Sequence, residues 1–299
     1  MQTPTESLPS QHSVIRKWEA FLEQRRRIRH AQGLCLAGTF QGSLDGQTQH
    51  AVALWDIWHT MSCPLEEPKA VVVEGPRAVV ELYGLQLTSD GNIQVEPLDA
   101  IETTTDVALS FADLNGQDVN GDGLKELVVE TWTGGSCRAC DKVRLFHVSQ
   151  RRLKELSIPV REDVIPKSLV DLDSDGQFEV IALDTEWEGY GMFCKACAPR
   201  VEVVYAWQSG QYIEASHRFP HFYTARIAEL EQRLQSPADD QSYASDAISL
   251  LLNYIRKGEA AQGWQRFQTL TSPIRFKDPA WAEEAQGVAA KLGTRFQLE

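Results

Sequence analysis

The hydrophobic and polar residues change their spacing twice along the chain. Apolar residues recur at helical spacing over residues 13–30, where Ser13 is a candidate N-cap. From Gly33 onward, short apolar runs alternate with polar turns, among them Asp45-Gly46 and Asp90-Gly91, and Asp-Gly favours hairpins. After Pro220 the helical spacing returns, with Gly258 at a candidate C-cap. The pattern predicts a mainly β region between two helical segments.

Individual elements follow from the apolar runs. Strands are expected at residues 34–40, 51–58, 71–73, 78–87, 92–96, 107–111, 127–131, 143–148, 180–183 and 201–207. Helices are expected at residues 225–234, 246–257, 263–270 and 279–292. The predicted organisation is a flexible tail at 1–12, an N-terminal helix at 13–32, a β-repeat calcium-binding domain at 33–222 and an α-helical module at 223–299.

Composition and charge narrow the classes of partner. The chain has 299 residues, of which 42% are hydrophobic, and its net charge is −13. The hydrophobic content is sufficient for a core, whereas the negative charge opposes binding to nucleic acid and suits the capture of divalent cations. No apolar run is long enough to predict a membrane span.

The first eleven residues are polar and lack the apolar segment of a secretory signal. This favours a cytoplasmic protein, or an extracytoplasmic one if a signal was removed before residue 1. The N-terminal helix ends in a basic run, Arg25, Arg26, Arg27 and Arg29. We interpret that run as a solvated helix end near the negative pole of the helix dipole, in preference to a site for an anionic partner.

Two Asp-rich segments share one pattern, and each leads directly into an apolar strand. The first, from Asp118, reads Asp-Val-Asn-Gly-Asp-Gly-Leu-Lys-Glu, and the second, from Asp171, reads Asp-Leu-Asp-Ser-Asp-Gly-Gln-Phe-Glu. Side chains at positions 1, 3, 5 and 9 and the carbonyl at position 7 can converge on one cation, because glycine at position 6 permits a sharp turn. The predicted ligands are Asp118, Asn120, Asp122, Leu124 and Glu126 in the first loop, and Asp171, Asp173, Asp175, Gln177 and Glu179 in the second.

An oxygen-only ligand set of this kind indicates calcium, a hard cation that takes about six to eight oxygens. An EF-hand would need Glu at position 12, but Val129 and Ala182 stand there, within predicted strands. A loop starting at Asp113 would need an insertion, so Asp118 is the preferred first position. Two copies in the same strand context favour two calcium sites over two solvated turns.

The loop motif followed by an apolar strand resembles the FG-GAP and VCBS repeats over residues 108–207. This resemblance implies a propeller-like or incomplete propeller domain of the integrin type, in which each loop binds calcium between strands. It assigns the Asp, Asn and Glu side chains of positions 1, 3, 5 and 9 to the two sites. The chain carries two good copies and lacks the family's Phe-Gly…Gly-Ala-Pro signature.

Six cysteines are present, and four of them form two Cys-x-x-Cys pairs in predicted hairpin loops, Cys137 with Cys140 and Cys194 with Cys197. Four thiolates brought together would bind zinc in a tetrahedral site. Two disulfides in an oxidising compartment, or a redox pair, are the alternatives. The remaining two, Cys35 and Cys63, flank the first predicted hairpin region.

The sequence contains no recognisable catalytic motif, and it predicts a non-enzymatic calcium-binding β-repeat protein that acts as a binding or scaffold module for a protein or carbohydrate partner. One alternative is a polysaccharide-acting hydrolase or lyase, with Glu186 and Glu188 on one face of a strand as the only candidate acids. The other is a thiol redox-sensing scaffold. Trp132 and Trp187 stand in matching places of the two repeats, where core packing is the expected role.

Overall fold

The structure, a computed structural model, describes residues 11–61, 76–90, 92–135 and 140–296. Its contacts divide the chain into two compact units, Met1–Gly135 with Val143–Leu156, and Ser136–Lys142 with Ser157–Glu299. This division lies within the strand-rich region, whereas the sequence places a boundary where strands give way to helices. The predicted mainly β fold class, with an N-terminal helix and C-terminal helices, is confirmed.

The first unit begins with one helix and one sheet. Helix α1 covers Gln11–Ala31. The first sheet is an antiparallel meander in the order β1-β2-β3-β4, with the bounds β1 Cys35–Ser43, β2 Gln49–Asp56, β3 Ala78–Leu87 and β4 Ile93–Thr103. The predicted strand at residues 71–73 lies outside the described residues.

Strand β2 shows why the first sheet is covered on both faces. Ala53 and Trp55 belong to the core formed with Trp18 of α1, whereas Val52 and Leu54 belong to the core formed with the second sheet. Alternate side chains of a strand point to opposite faces, and here both sets are apolar. A strand buried on both faces therefore has apolar residues at successive positions, as at residues 51–55.

Two arginines of the basic run lie against the first sheet. Arg29 is buried, and its guanidinium contacts the Oε1 atom of Glu81 on β3 at 2.5 Å. Arg25 also pairs with Glu81, and the hydroxyl of Tyr83 donates to Oε2 of the same carboxylate. These cations hold the pKa of Glu81 below its usual value despite its burial. The interpretation of a solvated helix end is wrong for these two arginines, because their partner lies on a strand far along the chain.

The second and third sheets have the same strand connectivity as the first. The second sheet has the order β5-β6-β7-β8, and the third has the order β12-β11-β10-β9. The bounds are β5 Ala108–Phe111, β6 Leu127–Trp132, β7 Asp141–Ser149 and β8 Arg152–Glu155, then β9 Val164–Val170, β10 Glu179–Asp184, β11 Val201–Gln208 and β12 Gln211–Glu214. In both sheets an Asp-rich loop joins the first strand to the second.

The last hairpin of these two sheets also has the same geometry. Gln150 and Arg151 join β7 to β8, and Ser209 and Gly210 join β11 to β12. All four residues have positive φ, as a type I′ turn requires. Strands β8, β9 and β12 were not predicted from the sequence. The first and last of them are four-residue strands with a single buried side chain each.

The second unit also contains the C-terminal helices, α2 Pro220–Arg233, α3 Asp240–Lys257, α4 Ala260–Leu270 and α5 Pro279–Phe296. Asp239 caps α3 by accepting from the amide of Ser242 at 2.7 Å, and Gly258 ends the helix with φ of 90°. Apolar faces of these helices form one core with Trp187, Phe193 and other residues of the loop after β10. The predicted helical segment is confirmed.

Candidate metal centre

The first Asp-rich loop is anchored between β5 and β6. Gln117 and Glu126 form an isolated antiparallel bridge across its base. The side chain of Asn115 donates to the carbonyls of Ala112 and Val128 and accepts from the amide of Val128. Asn115 would be position 3 of a register that starts at Asp113, and its side chain is engaged in closing the base of the loop. Asp118 stays the predicted first position.

Asp118 organises the first half of this loop. Its Oδ1 atom accepts from the amides of Gly121 at 2.8 Å and Asp122 at 3.2 Å, and its Oδ2 atom accepts from the amide of Gly123 at 2.9 Å. A carboxylate that accepts several backbone amides wraps the following residues around itself. The wrapping brings positions 1, 3 and 5 of the loop to one side.

Positions 3, 5 and 7 continue the turn. The Oδ1 atom of Asn120 accepts from the amide of Asp122 at 3.0 Å, and its amide nitrogen lies 3.3 Å from the Oδ2 atom of Asp122. The amide of Leu124 donates to the Oδ1 atom of Asp122 at 2.9 Å. Asn120 is buried and Asp122 is exposed. The loop therefore has an inner side, toward Glu126, and an outer side, toward solvent.

Glu126 is the most unusual side chain of the loop. It is 0% exposed, and its Oε2 atom accepts from the amide of Val119 at 2.9 Å. Its Oε1 atom is buried without a hydrogen-bond partner in the structure. Burial, followed by the nearby carboxylates of Asp122 and Asp118, raises the pKa of Glu126 to about 7. A buried oxygen with a free lone pair is costly unless a proton or a cation satisfies it.

The second loop repeats the backbone pattern of the first, between β9 and β10. The Oδ1 and Oδ2 atoms of Asp171 accept from the amides of Asp175 at 3.2 Å and Gly176 at 3.1 Å. The Oδ1 atom of Asp175 accepts from the amide of Gln177 at 2.8 Å, and the Oε2 atom of Glu179 accepts from the amide of Leu172 at 2.9 Å. Each of these bonds has a counterpart at the same loop position in the first loop.

The carboxylates of the second loop converge. Asp171, Asp173 and Glu179 each place one oxygen within 4.8 Å of the others. Glu179 is buried, and its pKa is raised first by that burial and then by Asp173 and Asp175. Asp173 and Asp175 are exposed, so this cluster is more open to solvent than the first loop.

Glycine at position 6 has the conformation that both loops require. Gly123 and Gly176 have φ of 88° and 86°, and a Cβ atom at either position would meet nothing within 4 Å. Position 4 also has positive φ in both loops, at Gly121 and Ser174. The requirement for glycine at position 6 is therefore a matter of backbone conformation and not of space.

Protein cations do not neutralise these loops. In the described part of the chain, no Lys, Arg or His forms an ion pair with a carboxylate of either loop. A carboxylate cluster outside the two loops, Asp163, Asp184 and Glu186, differs from them because protein cations surround it. Four cations, Arg161, Arg256, Lys291 and Arg295, lie within 4.0 Å of its oxygens. That cluster is an ion-pair network, whereas the loops keep an unbalanced negative charge.

Oxygen donors without a protein cation, one of them buried and orphaned, fit a hard divalent cation. The residues that would hold it are the side chains at positions 1, 3, 5 and 9 of each loop. The carbonyls of Leu124 and Gln177 stay predictions as ligands, although the amides of both residues are fixed by the position-5 carboxylate.

The second Cys-x-x-Cys pair is oxidised in the structure, with Cys194 joined to Cys197. Cys140 and Cys35 are also disulfide-bonded, whereas Cys137 and Cys63 lie outside the described residues. A zinc site would need reduced sulfurs, so the zinc alternative applies only to a reduced form of the protein.

The residues weighed for catalysis and aromatic stacking lie in different settings. Glu186 and Glu188 lie in a turn after β10, not on a strand, and the Lys and Arg partners of Glu186 lower its pKa. Trp187 is buried in the helical core, as expected for core packing. Trp132 ends β6, donates to the carbonyl of Gly135 at 2.8 Å and stacks edge-on with Trp58, which is 51% exposed. The two tryptophans therefore do not occupy equivalent places.

Comparisons with known proteins add no identification, because no protein-family model matches the chain and no curated protein matches it significantly. Within the described ranges, none of the helices is both long and apolar enough to cross a membrane.

The orphaned Oε1 atom of Glu126 and the cations around Glu186 could not be found from the sequence, since each depends on contacts between distant residues.

Proposed function

We propose that this protein binds calcium at the two Asp-rich loops and uses the ions to stabilise its β-repeats. One observation carries the proposal: the buried Oε1 atom of Glu126 has no partner in a loop that holds two further carboxylates and no cation. A divalent ion would satisfy that oxygen and offset the repulsion that raises the pKa of Glu126.

The repeat architecture supports the same proposal. Two sheets of equal connectivity each carry the loop between their first and second strands, and the loops share four hydrogen bonds from backbone amides to carboxylates. Resemblance to FG-GAP and VCBS repeats suggests propeller-type blades with structural calcium. In this role the protein is a non-enzymatic binding or scaffold module for a protein or carbohydrate partner. The disulfides and the exposed second loop favour an oxidising, calcium-rich compartment.

Isothermal titration of the chelator-treated protein with calcium tests the proposal. We expect two sites in the native chain. Glu126→Gln keeps the shape of the side chain but removes its charge, so we expect the affinity of one site to fall at least about tenfold, since ligand charge sets calcium affinity. Asp171→Asn should weaken the other site in the same way.

Asp113→Asn is the matched control, because Asp113 is an exposed Asp just before the loop. It should leave both affinities unchanged. Native protein that takes up no calcium at millimolar concentrations would refute the proposal. If Asp113→Asn lost the first site and Glu126→Gln left it unchanged, the ion would be assigned to the loop register that starts at Asp113.

A further inference from the structure

The disulfide between Cys194 and Cys197 lies in the long loop that joins β10 to β11. Its two sulfurs are three residues apart in sequence. Cys194 is exposed, as are Lys195 and Ala196 between the cysteines, whereas Cys197 is half-buried. A thiolate arriving from solvent therefore reaches the sulfur of Cys194 more readily than that of Cys197.

Both ends of this short loop are anchored without the help of the disulfide. Phe193 precedes Cys194, is 2% exposed, and has its ring 5.5 Å from that of Trp281. Ala198 follows Cys197 and is also buried in the helical core. Since packing fixes the flanking residues, the S–S bond can open and close while the core around it stays in place.

Cys197 lies beside the start of helix α3. The Nε2 atom of Gln241, in the first turn of that helix, donates to the sulfur of Cys197 at 2.8 Å. A hydrogen-bond donor and the positive end of a helix dipole both favour a thiolate over a thiol. A sulfur stabilised as a thiolate is the better leaving group in disulfide exchange. The charged side chains closest in sequence to Cys197 and to this turn are Lys195, Asp239 and Asp240. Arg200, Arg233 and Asp246 line the cavity that adjoins Cys197.

A cavity of about 440 Å³ adjoins Cys197. It extends along one face of α3 past Ser242, Ser245 and Ser249, which follow one another at helical spacing. Its lining combines these hydroxyls and the guanidinium of Arg200 with apolar surface from Ala196, Pro237 and Ala238. Such a cavity has room for the extended segment on which a partner would present its thiols next to the disulfide.

We propose that Cys194–Cys197 is a thiol–disulfide exchange site for a dithiol partner. A thiolate of the partner attacks Sγ of Cys194, the S–S bond breaks, and Cys197 leaves as a thiolate that Gln241 stabilises. The second thiolate of the partner then attacks the partner's sulfur in the mixed disulfide and releases Cys194. Two electrons pass to the protein, which becomes a dithiol, and the partner becomes a disulfide; the reverse sequence reduces a partner disulfide and forms the Cys194–Cys197 bond again. This site is independent of calcium binding.

Limited reduction of the full chain compares this disulfide with the buried cysteines Cys35 and Cys140. The folded, calcium-treated protein is exposed to substoichiometric dithiothreitol, and new thiols are alkylated and quantified by peptide mass spectrometry. Cys35 and Cys140, both disulfide-bonded and at most 4% exposed, are internal references. We expect Cys194 and Cys197 to be alkylated at least about tenfold faster than either reference. Equal rates for all of these cysteines would overturn the proposal.

Single-cysteine variants test which of the two sulfurs an incoming reagent attacks. With glutathione disulfide as the probe, Cys197→Ser should form a mixed disulfide at Cys194 at least about tenfold faster than Cys194→Ser forms one at Cys197. The reverse order would overturn the assigned roles.

In the Cys194→Ser background, Gln241→Ala should move the pH profile of Cys197 alkylation to higher pH, whereas Gln235→Ala, an exposed Gln before the same helix, should not. An unchanged profile in Gln241→Ala would remove Gln241 as the positioning residue. We expect the calcium affinity of each variant to equal that of the native chain. The calcium proposal and the exchange proposal are thereby tested separately.

Discussion

The loop between β5 and β6 and the loop between β9 and β10 share four internal hydrogen bonds but have different surroundings. In the first loop Val119, Asn120 and Glu126 are buried, and the amide of Lys125 donates to the carbonyl of Leu44 in the first hairpin at 3.3 Å. In the second loop Asp173, Ser174, Asp175 and Gly176 are all exposed. The same motif therefore has its position-3 side chain buried in the first copy and exposed in the second, whereas the Glu at position 9 is buried in both.

This difference separates two properties of a calcium loop. The hydrogen bonds that the two copies share set how each loop turns, and the carboxylates of Asp171, Asp173 and Glu179 converge in the second loop. Burial sets how strongly the fold depends on the ion, because an unpaired carboxylate costs much more free energy in the interior than at the surface. We therefore expect the first loop to act as a structural site and the second as a more readily exchanging one.

The largest expected effect is the loss of thermal stability on removing calcium. Chelation should lower the Tm by several degrees, since an ion at a hundred times its Kd stabilises the folded state by about 2.7 kcal/mol. We expect Glu126→Gln to abolish most of that calcium-dependent gain and Glu179→Gln to abolish less. Calorimetry with calcium and with chelator measures both.

Glu130→Gln is the control for this measurement, because Glu130 is an exposed Glu on the strand that follows the first loop. Its calcium-dependent gain should equal that of the native chain. A larger loss in Glu179→Gln than in Glu126→Gln would reverse the assignment of structural and exchanging sites.

A smaller expected effect is the dependence of stability on pH in the metal-free protein. The folded-state pKa of Glu126 is raised from 4.5 to about 7, so between these values the folded state binds a proton that the unfolded state has lost. Its contribution to stability is full below pH 4.5 and is lost as the pH rises toward 7. Urea midpoints in chelator should therefore fall from pH 5 to pH 8. Glu126→Gln should flatten this dependence, and a slope equal to that of the native chain would contradict the assignment to Glu126.

The smallest expected effect tests what the two loops share. Gly123→Ala and Gly176→Ala each place a Cβ on a residue with positive φ, which costs about 1 kcal/mol without any clash. The free energies of unfolding in chelator should drop by similar amounts in the two variants. A cost several times larger in one loop would show that its backbone is held by contacts that the other lacks.

The candidate metal centre was predictable because its chemistry is local. Positions 1, 3, 5, 6 and 9 lie within nine consecutive residues, and a turn that a carboxylate nucleates needs no partner from elsewhere in the chain. The same holds for the helix ends, where Asp239 and Gly258 act through their nearest neighbours. Calcium as the ligand stays a prediction.

Contacts between distant residues were not predictable. Arg29 lies at the end of a helix in a basic run, and nothing near it in sequence reveals that Glu81 receives it in the interior. Strand β8 reads Arg-Leu-Lys-Glu, which shows no apolar run, and it exists because β7 offers it a partner. The two Cys-x-x-Cys pairs looked equivalent by spacing, but that spacing does not say which sulfur is exposed.

By itself, the sequence determined the helical segments, most of the strands, the turns that glycine allows and which residues fall within each Asp-rich loop, because these depend on interactions over a few residues. Only the tertiary structure decided which loop is buried, which carboxylates protein cations neutralise, and which cysteine meets Gln241 at the start of α3. Burial and charge compensation are set by the whole fold, and they decide how much each local motif contributes to stability and function.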